Sequence, residues 1–311
     1  LGPYGRYRQT GRGLATLHAT SACLKSHCTG VGADGIEMCR LLCGGHGYSM
    51  ASGLPALHAE FVPSQTYEGD NVVLLLQTAR WIVKRVHSGR ADDVEEAGPE
   101  VGGYLGRAEP LPRPRDVEAF ASSPEQIARA LAEASRLLAH RAAATLADAT
   151  GRGGLPLERA WSEVAGTELL EAARAHARLL LCESFSRGIG AWSSSCASDC
   201  TTAVLGDLRD LLQLTTLLQH AAVPLLESGW LPHGALDAIR RRLAGALTAL
   251  RPEAVALCDA FGLSDWELSS ILGRSDGNVY ANLLAWARRS PFNKSQVVDG
   301  FEEHVRPMMG R

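Results

Sequence analysis

Residues 63–72 read PSQTYEGDNV, and the residue there that could do chemistry is Glu68. A carboxylate that follows an aromatic side chain and precedes Gly69 has two uses. At a helix start it complements the positive end of the macrodipole, a stabilising role that needs no ligand. With glycine leaving room beside it, it can also serve as a catalytic base. A second candidate lies upstream, in CRLLCGGHGY at 39–48. The run Gly44-Gly45-His46-Gly47 either stops a helix or lets backbone approach a diphosphate, because missing Cβ atoms remove the steric barrier. From the residues alone, both pairs of readings stay open. Cys39, Cys43 and His46, with His58 as a fourth member, do not follow a common zinc spacing, and no metal site is expected.

These residues need helices to hold them. Residues 1–13 are glycine-rich and basic, and read as a loop or frayed lead-in. A helical pattern runs from about Leu14 to Leu42, although Gly30, Gly32 and Gly35 weaken its middle. It must stop at CGGHGYSMASGLP, where paired glycines are followed by proline. The stretch ALHAEFVP at 56–63 reads as extended. A second helix is expected from about Glu68 to His87, with Val72, Val73, Leu75, Leu76, Ala79, Ile82, Val83 and Val86 on a broad apolar face.

Residues 88–116 combine an acidic cluster with five glycines and four prolines, as expected of a linker or surface crossing. Beyond them, Ser123-Pro124-Glu125-Gln126 is a helix start with a cap, proline at the first position and Gln three residues after the cap. Helical patterns follow at about 124–149, 157–187, 200–222 and 235–261, with shorter segments at 264–272 and 277–289. The chain is therefore expected to be all-α, its second half an antiparallel bundle. The Arg run at 240–242 reads as a solvated helix face, Tyr280 and Trp286 as bundle packing, and Cys196 and Cys200 as free surface thiols.

The charge balance removes whole classes of function. The 311 residues carry 31 basic and 34 acidic side chains, a net charge of −3, so no field draws the chain to nucleic acid or an anionic membrane. Aromatic residues are 6% of the chain, which with abundant Ala and Leu favours helices. The longest apolar runs, such as VVLLL at 72–76, are too short to span a bilayer. Eight cysteines in a chain this long do not make a disulfide framework, and a soluble, reducing, intracellular setting is expected.

Taken together, the motifs resemble the C-terminal portion of the peroxisomal acyl-CoA oxidases, within the acyl-CoA dehydrogenase/oxidase superfamily. The matching residues are Cys39, Arg40, Cys43, Gly44, Gly45, His46, Gly47, Tyr48 and Ser49, then Ser52, Gly53 and Pro55. Tyr67, Glu68, Gly69, Asn71, Gln77, Thr78, Ala79 and Arg80 follow. The likeness continues in LRPEAVALCDAF at 250–261 and LGRSDGNVYANLLAWARRSPFNK at 272–294. Position 70 is Asp where these oxidases usually have Glu.

The resemblance implies an all-α fold: the C-terminal helical domain of the dehydrogenase/oxidase fold (C-alpha-1, residues 1–90), a linker (91–116) and a second helical bundle (117–311). It implies that Glu68 removes the α-proton of a fatty acyl-CoA, that FAD takes the β-hydride, and that molecular oxygen reoxidises the flavin to give hydrogen peroxide. It further implies that Gly44, Gly45 and Gly47 approach the FAD diphosphate, that Asn71 touches the flavin, and that the enzyme is a peroxisomal homodimer. The family's N-terminal helical and central β-domains have no counterpart in this sequence. The chain ends Met309-Gly310-Arg311 rather than in a Ser-Lys-Leu-type peroxisomal address. The alternative reading is a truncated, non-catalytic helical module that dimerises with a related oxidase subunit.

Overall fold

The computed structural model describes residues 3–88, 102–107, 109–194 and 199–310; among these no strand occurs, and the chain is all-α as expected. The helices that matter below are α1 (Pro3–Thr10), α2 (Leu14–Leu42), α3 (Gly45–Tyr48), α4 (Leu54–Phe61) and α5 (Asn71–Ser88). They are followed by α6 (Pro124–Thr150), α7 (Gly166–Ser193), α8 (Asp199–Thr216), α9 (Ala235–Leu250) and α10 (Val279–Arg289).

By its contacts the chain divides into two units that do not follow sequence order. The first is Leu1–Gly30 with Gln65–Cys258; the second is Val31–Ser64 with Asp259–Arg311.

In the first unit, α6 shows how sequence becomes helix. Ser123 accepts from the Gln126 N–H, and Pro124 occupies the first turn, where a missing N–H costs nothing. The helix then buries Ile127, Ala130, Leu131, Ala134, Leu138, Ala139 and Ala142, a stripe at helical spacing. α7 packs on it with Leu169, Ala172, Ala173, Ala177 and Leu180, and α5 and α8 pack on α7 in turn. The many alanines let these axes approach closely, while each fully buried Leu or Ile contributes about 1.5–3 kcal/mol. α9 closes the core with Ala235, Ala238 and Ile239.

The core also holds a buried ion pair. Arg136 Nη2 donates to Glu133 Oε1 at 2.7 Å, and the same carboxylate accepts the Leu111 N–H at 3.1 Å. Trp230 Nε1 donates to the Leu111 carbonyl at 2.8 Å, fixing that strap from its other side.

The second unit has little core. Gly32 on α2 accepts the ring of Phe61 from α4, where an added Cβ would lie 2.6 Å from the ring. Gly53, with φ 76°, lies so close to the Ser269 carbonyl that a Cβ would stand 2.9 Å from it, and the Ile271 N–H donates to the Ala51 carbonyl at 3.0 Å. Ser264 and Glu267 form a reciprocal capping box.

Several expectations are corrected. The lead-in forms α1. ALHAEFVP is not extended: it lies within α4 and the 3-10 turn Val62–Gln65, because proline in the first turn of α4 suits a helix start. α5 begins at Asn71, not Glu68. In the expected linker, Tyr104 and Leu105 are core residues, and Gly102 packs against the Trp81 ring. The acidic cluster of that stretch and Cys196 lie outside the described residues, while Cys200 is a free, exposed thiol. Arg242 is not simply solvated, since it pairs with the buried Asp210. Tyr280 and Trp286 are largely exposed, with Tyr280 edge-on to His46 at 5.9 Å.

Candidate active site

Glu68 stands in a tight turn just before α5, in the first unit. Its φ is 59°, one of two positive values among the described non-glycine residues, and Gly69 follows with φ 108°. The left-handed region costs a residue with a Cβ roughly 1–2 kcal/mol, so the surroundings must impose it. The carboxylate is exposed, beside Tyr67, which is itself 54% exposed. Glu68 therefore lies outside the helix, and the role of first-turn charge passes to Asp70. Asp70 Oδ1 accepts the N–H groups of Val72 at 2.9 Å and Val73 at 3.3 Å, and so caps α5.

Asn71 ties this helix start to α2. Its Nδ2 donates to the Ser26 carbonyl at 3.1 Å and to the Thr29 hydroxyl at 2.9 Å, and the Ser26 hydroxyl donates to the Asn71 carbonyl at 3.0 Å. Lys25 Nζ donates to Asn71 Oδ1 at 2.9 Å and to the Gly69 carbonyl at 2.6 Å. Both amide hydrogens of Asn71 are thus engaged within the chain.

Sequence reasoning missed Lys25 and Asp70. Asp70 had a readable signal, an Asp directly before an apolar periodic run. Lys25 had none, since its partners are more than forty positions away.

Beyond the turn, α5 divides its apolar residues. Leu75, Ala79, Ile82 and Val83 enter the core, whereas Val72 and Val73 stay about half exposed. Val73, Leu76 and Gln77 line an open groove of about 910 Å³ that continues along Leu146, Leu157 and Trp161.

The glycine run belongs to the second unit. Gly44 has φ 57°, and Gly47 is buried where an added Cβ would stand 1.9 Å from the Arg40 carbonyl. Local folding therefore accounts for both glycines. Gly45 differs: it is exposed, and a Cβ there would meet nothing within 4 Å. Its backbone is open to a ligand, and folding alone does not require glycine there. That fits a residue approaching a diphosphate. Glu68 and Asn71 thus stand in one unit and the three glycines in the other.

Among the described residues no group of three or more His, Cys, Asp and Glu could hold a metal ion; Cys39 and Cys43 are free and exposed. Among the described residues no helix is long and apolar enough to cross a membrane.

The family model for acyl-CoA oxidase matches residues 123–310, and that for the acyl-CoA oxidase C-alpha1 domain matches residues 4–83. Peroxisomal acyl-coenzyme A oxidase 1 of Phascolarctos cinereus is 35% identical over 310 residues, covering 96% of this chain and 44% of its own length. The Rattus norvegicus protein of the same name is 35% identical over 313 residues, with the same coverage of 96% and 44%. Acyl-CoA oxidase-2 of Caenorhabditis elegans, solved with FAD, ascaroside-CoA and ATP, has a TM-score of 0.85 at 35% identity, over 96% of this chain and 42% of that one. This chain thus spans under half the length of the relatives it matches. With both family models matched along it and the helical fold shared, the chain belongs to the acyl-CoA oxidase family.

Proposed function

We propose that this chain is the C-terminal part of a flavin-dependent acyl-CoA oxidase, with Glu68 as the base that removes the α-proton of a fatty acyl-CoA. The observation that carries the reading is the Glu68 backbone. A non-glycine residue is held in the left-handed region, in a turn whose Gly69 carbonyl accepts from Lys25 of α2 and whose following helix start is tied to Ser26 and Thr29. Strain of this kind persists where the surroundings over-determine it, and it gathers at functional sites. In this reading the domains follow the family: residues 1–90 are the C-alpha-1 helical domain and 117–311 the final helical bundle.

The α-proton of a thioester is weakly acidic, so an effective base must be aligned as well as basic. Gly69 and the exposed position of Glu68 leave space for a substrate at the carboxylate. One carboxylate oxygen takes the proton, and the α,β-bond becomes the double bond of a trans-2-enoyl-CoA. Bound FAD supplies the acceptor for the β-hydride, and molecular oxygen takes the electrons to give hydrogen peroxide. Gly45, with its backbone open, is the residue of the glycine run best suited to hold the diphosphate; Gly44 and Gly47 shape the turn that presents it. Asn71 serves chiefly to fix the base-bearing turn, and its remaining surface is what could face the flavin.

The relatives' names support a peroxisomal setting. A homodimer is the proposed assembly, with the exposed Val72 and Val73 of α5 and Leu41 and Leu42 of α2 as apolar surface that one chain leaves uncovered.

The test is Glu68→Gln in the full-length enzyme that carries this chain. Flavin should remain bound, while acyl-CoA-dependent flavin reduction falls by roughly 10²–10⁴-fold or more. Stability should move by less than about 1 kcal/mol, since the side chain is exposed and outside the helix. A variant that reduces its flavin at the parent rate would remove Glu68 from the mechanism.

A further inference from the structure

Lys25 lies on α2, more than forty residues from the turn that carries Glu68, and its ammonium reaches that turn at two points. Nζ is 2.6 Å from the Gly69 carbonyl oxygen and 2.9 Å from Asn71 Oδ1. Both acceptors are neutral oxygens, one on the residue directly after Glu68 and the other on the first residue of α5. An exposed lysine usually finds water or a carboxylate. This one is partly buried, and it donates to a backbone carbonyl of a strained turn and to the side chain of the residue that begins α5.

We propose that Lys25 is a positioning residue for the base. It fixes the orientation of the Gly69 carbonyl, and with it the Glu68–Gly69 segment and the direction in which the carboxylate points. The proposal rests on the reading of Glu68 as the base.

The physical case has three parts. A residue with φ 59° is strained, so the turn relaxes unless something holds it. A hydrogen bond from an ammonium is roughly twice as strong as one between neutral groups, which suits that task. The other ties at this place, from Ser26, Thr29 and Asp70, all act from Asn71 onward and fix the helix start. Lys25 alone among these four reaches back to Gly69.

The test uses two variants and two readouts. Lys25→Met keeps the aliphatic stem and removes the donors; Lys25→Arg keeps a cation and its donors. In the chain itself, a glutamate-specific protease reports the Glu68–Gly69 bond directly. Lys25→Met should be cut there about tenfold faster, through local opening, at a near-parental melting temperature. In the flavin-loaded full-length enzyme the same variant should reduce flavin about 10²-fold more slowly, the cost of a misplaced reacting group. KM should stay within about twofold, because substrate binding is not what is lost. Lys25→Arg should recover part of the rate.

Parental flavin reduction by folded Lys25→Met overturns the proposal, as does a folded Lys25→Arg no faster than Lys25→Met. The protease readout separates this from failure of the base assignment. If Glu68→Gln proves fully active, Glu68 is not the base; faster cleavage in Lys25→Met would then show the brace exists without serving catalysis, and the positioning role falls with it.

Discussion

The two units use their aromatic side chains in opposite ways. In the first, Phe120 is fully buried and meets Trp230 edge-on at 6.2 Å, while Trp81 lies against His176 at 5.3 Å. In the second, Trp266 is 86% exposed and Phe292 88% exposed. The first unit buries a large apolar core around α6 and α7, while Val72, Val73 and Leu157 are among the apolar side chains it leaves exposed. The second holds its shape through backbone contacts, caps and a few packed side chains such as Phe61 and Ile271, and leaves many large apolar side chains outward. A segment that retains so much exposed apolar area is expected to be covered in the assembled enzyme. That agrees with a chain spanning under half the length of its relatives. The buried core is concentrated in the first unit, and the most exposed aromatic side chains lie in the second.

The comparison predicts a wide spread of mutational effects. The largest is expected at Arg136→Met, which leaves the Glu133 carboxylate buried without its cation. Breaking such a pair from one side costs about 3–5 kcal/mol, to be read by urea denaturation of the chain. A loss below about 1 kcal/mol would mean that the first unit does not depend on this pair.

A comparable but pH-dependent loss is expected at His176. Burial pushes its imidazole down to about 4, while Tyr104 OH lies 3.0 Å from Nδ1 and Nε2 has no protein partner. Above pH 6.5 the ring is neutral in both the folded and the unfolded chain. As pH falls through 6.5 only the unfolded chain takes up the proton, so stability declines until pH reaches about 4. The full effect is about 3 kcal/mol. His176→Gln should lower stability at pH 7 but flatten its slope between pH 6.5 and 4 by about one proton. An unchanged slope would show that the buried ring does not contribute to acid sensitivity.

The smallest effect sharpens the comparison from the other side. Trp266→Ala should change the stability of the isolated chain by no more than about 0.5 kcal/mol, as for other exposed positions. In the full-length enzyme the same substitution should weaken assembly, read by sedimentation at decreasing concentration. Equal and small effects in both would mean that this surface is not covered.

Much of the helical layout was legible because its causes are local. The Ser123-Pro124 start of α6 depends on four neighbouring residues, and its apolar stripe repeats within each turn. The start of α5 was misplaced because Glu68 and Asp70 both offer a carboxylate before the apolar run; only the backbone shows that Asp70 makes the cap. ALHAEFVP was misread because its eight residues are too few for periodicity to separate helix from strand. Tyr104 and Leu105 were assigned to a linker on composition, yet two apolar side chains among glycines suffice to anchor a strap in a core.

By itself the sequence determined the all-α class and the bundle helices, and its contiguous motifs carried the resemblance to the family, which in turn pointed to Glu68 as a candidate base. Periodicity, caps and a contiguous motif are properties of neighbours along the chain. The tertiary structure decided what depends on residues far apart. Gly47 must be glycine because the Arg40 carbonyl lies against it, whereas Gly45 has open space. The Trp266 and Phe292 side chains face outward although their types favour burial. Lys25 became a brace for Glu68 only when α2 and the start of α5 came together, because a hydrogen bond reaches about 3 Å in space and takes no account of separation along the chain.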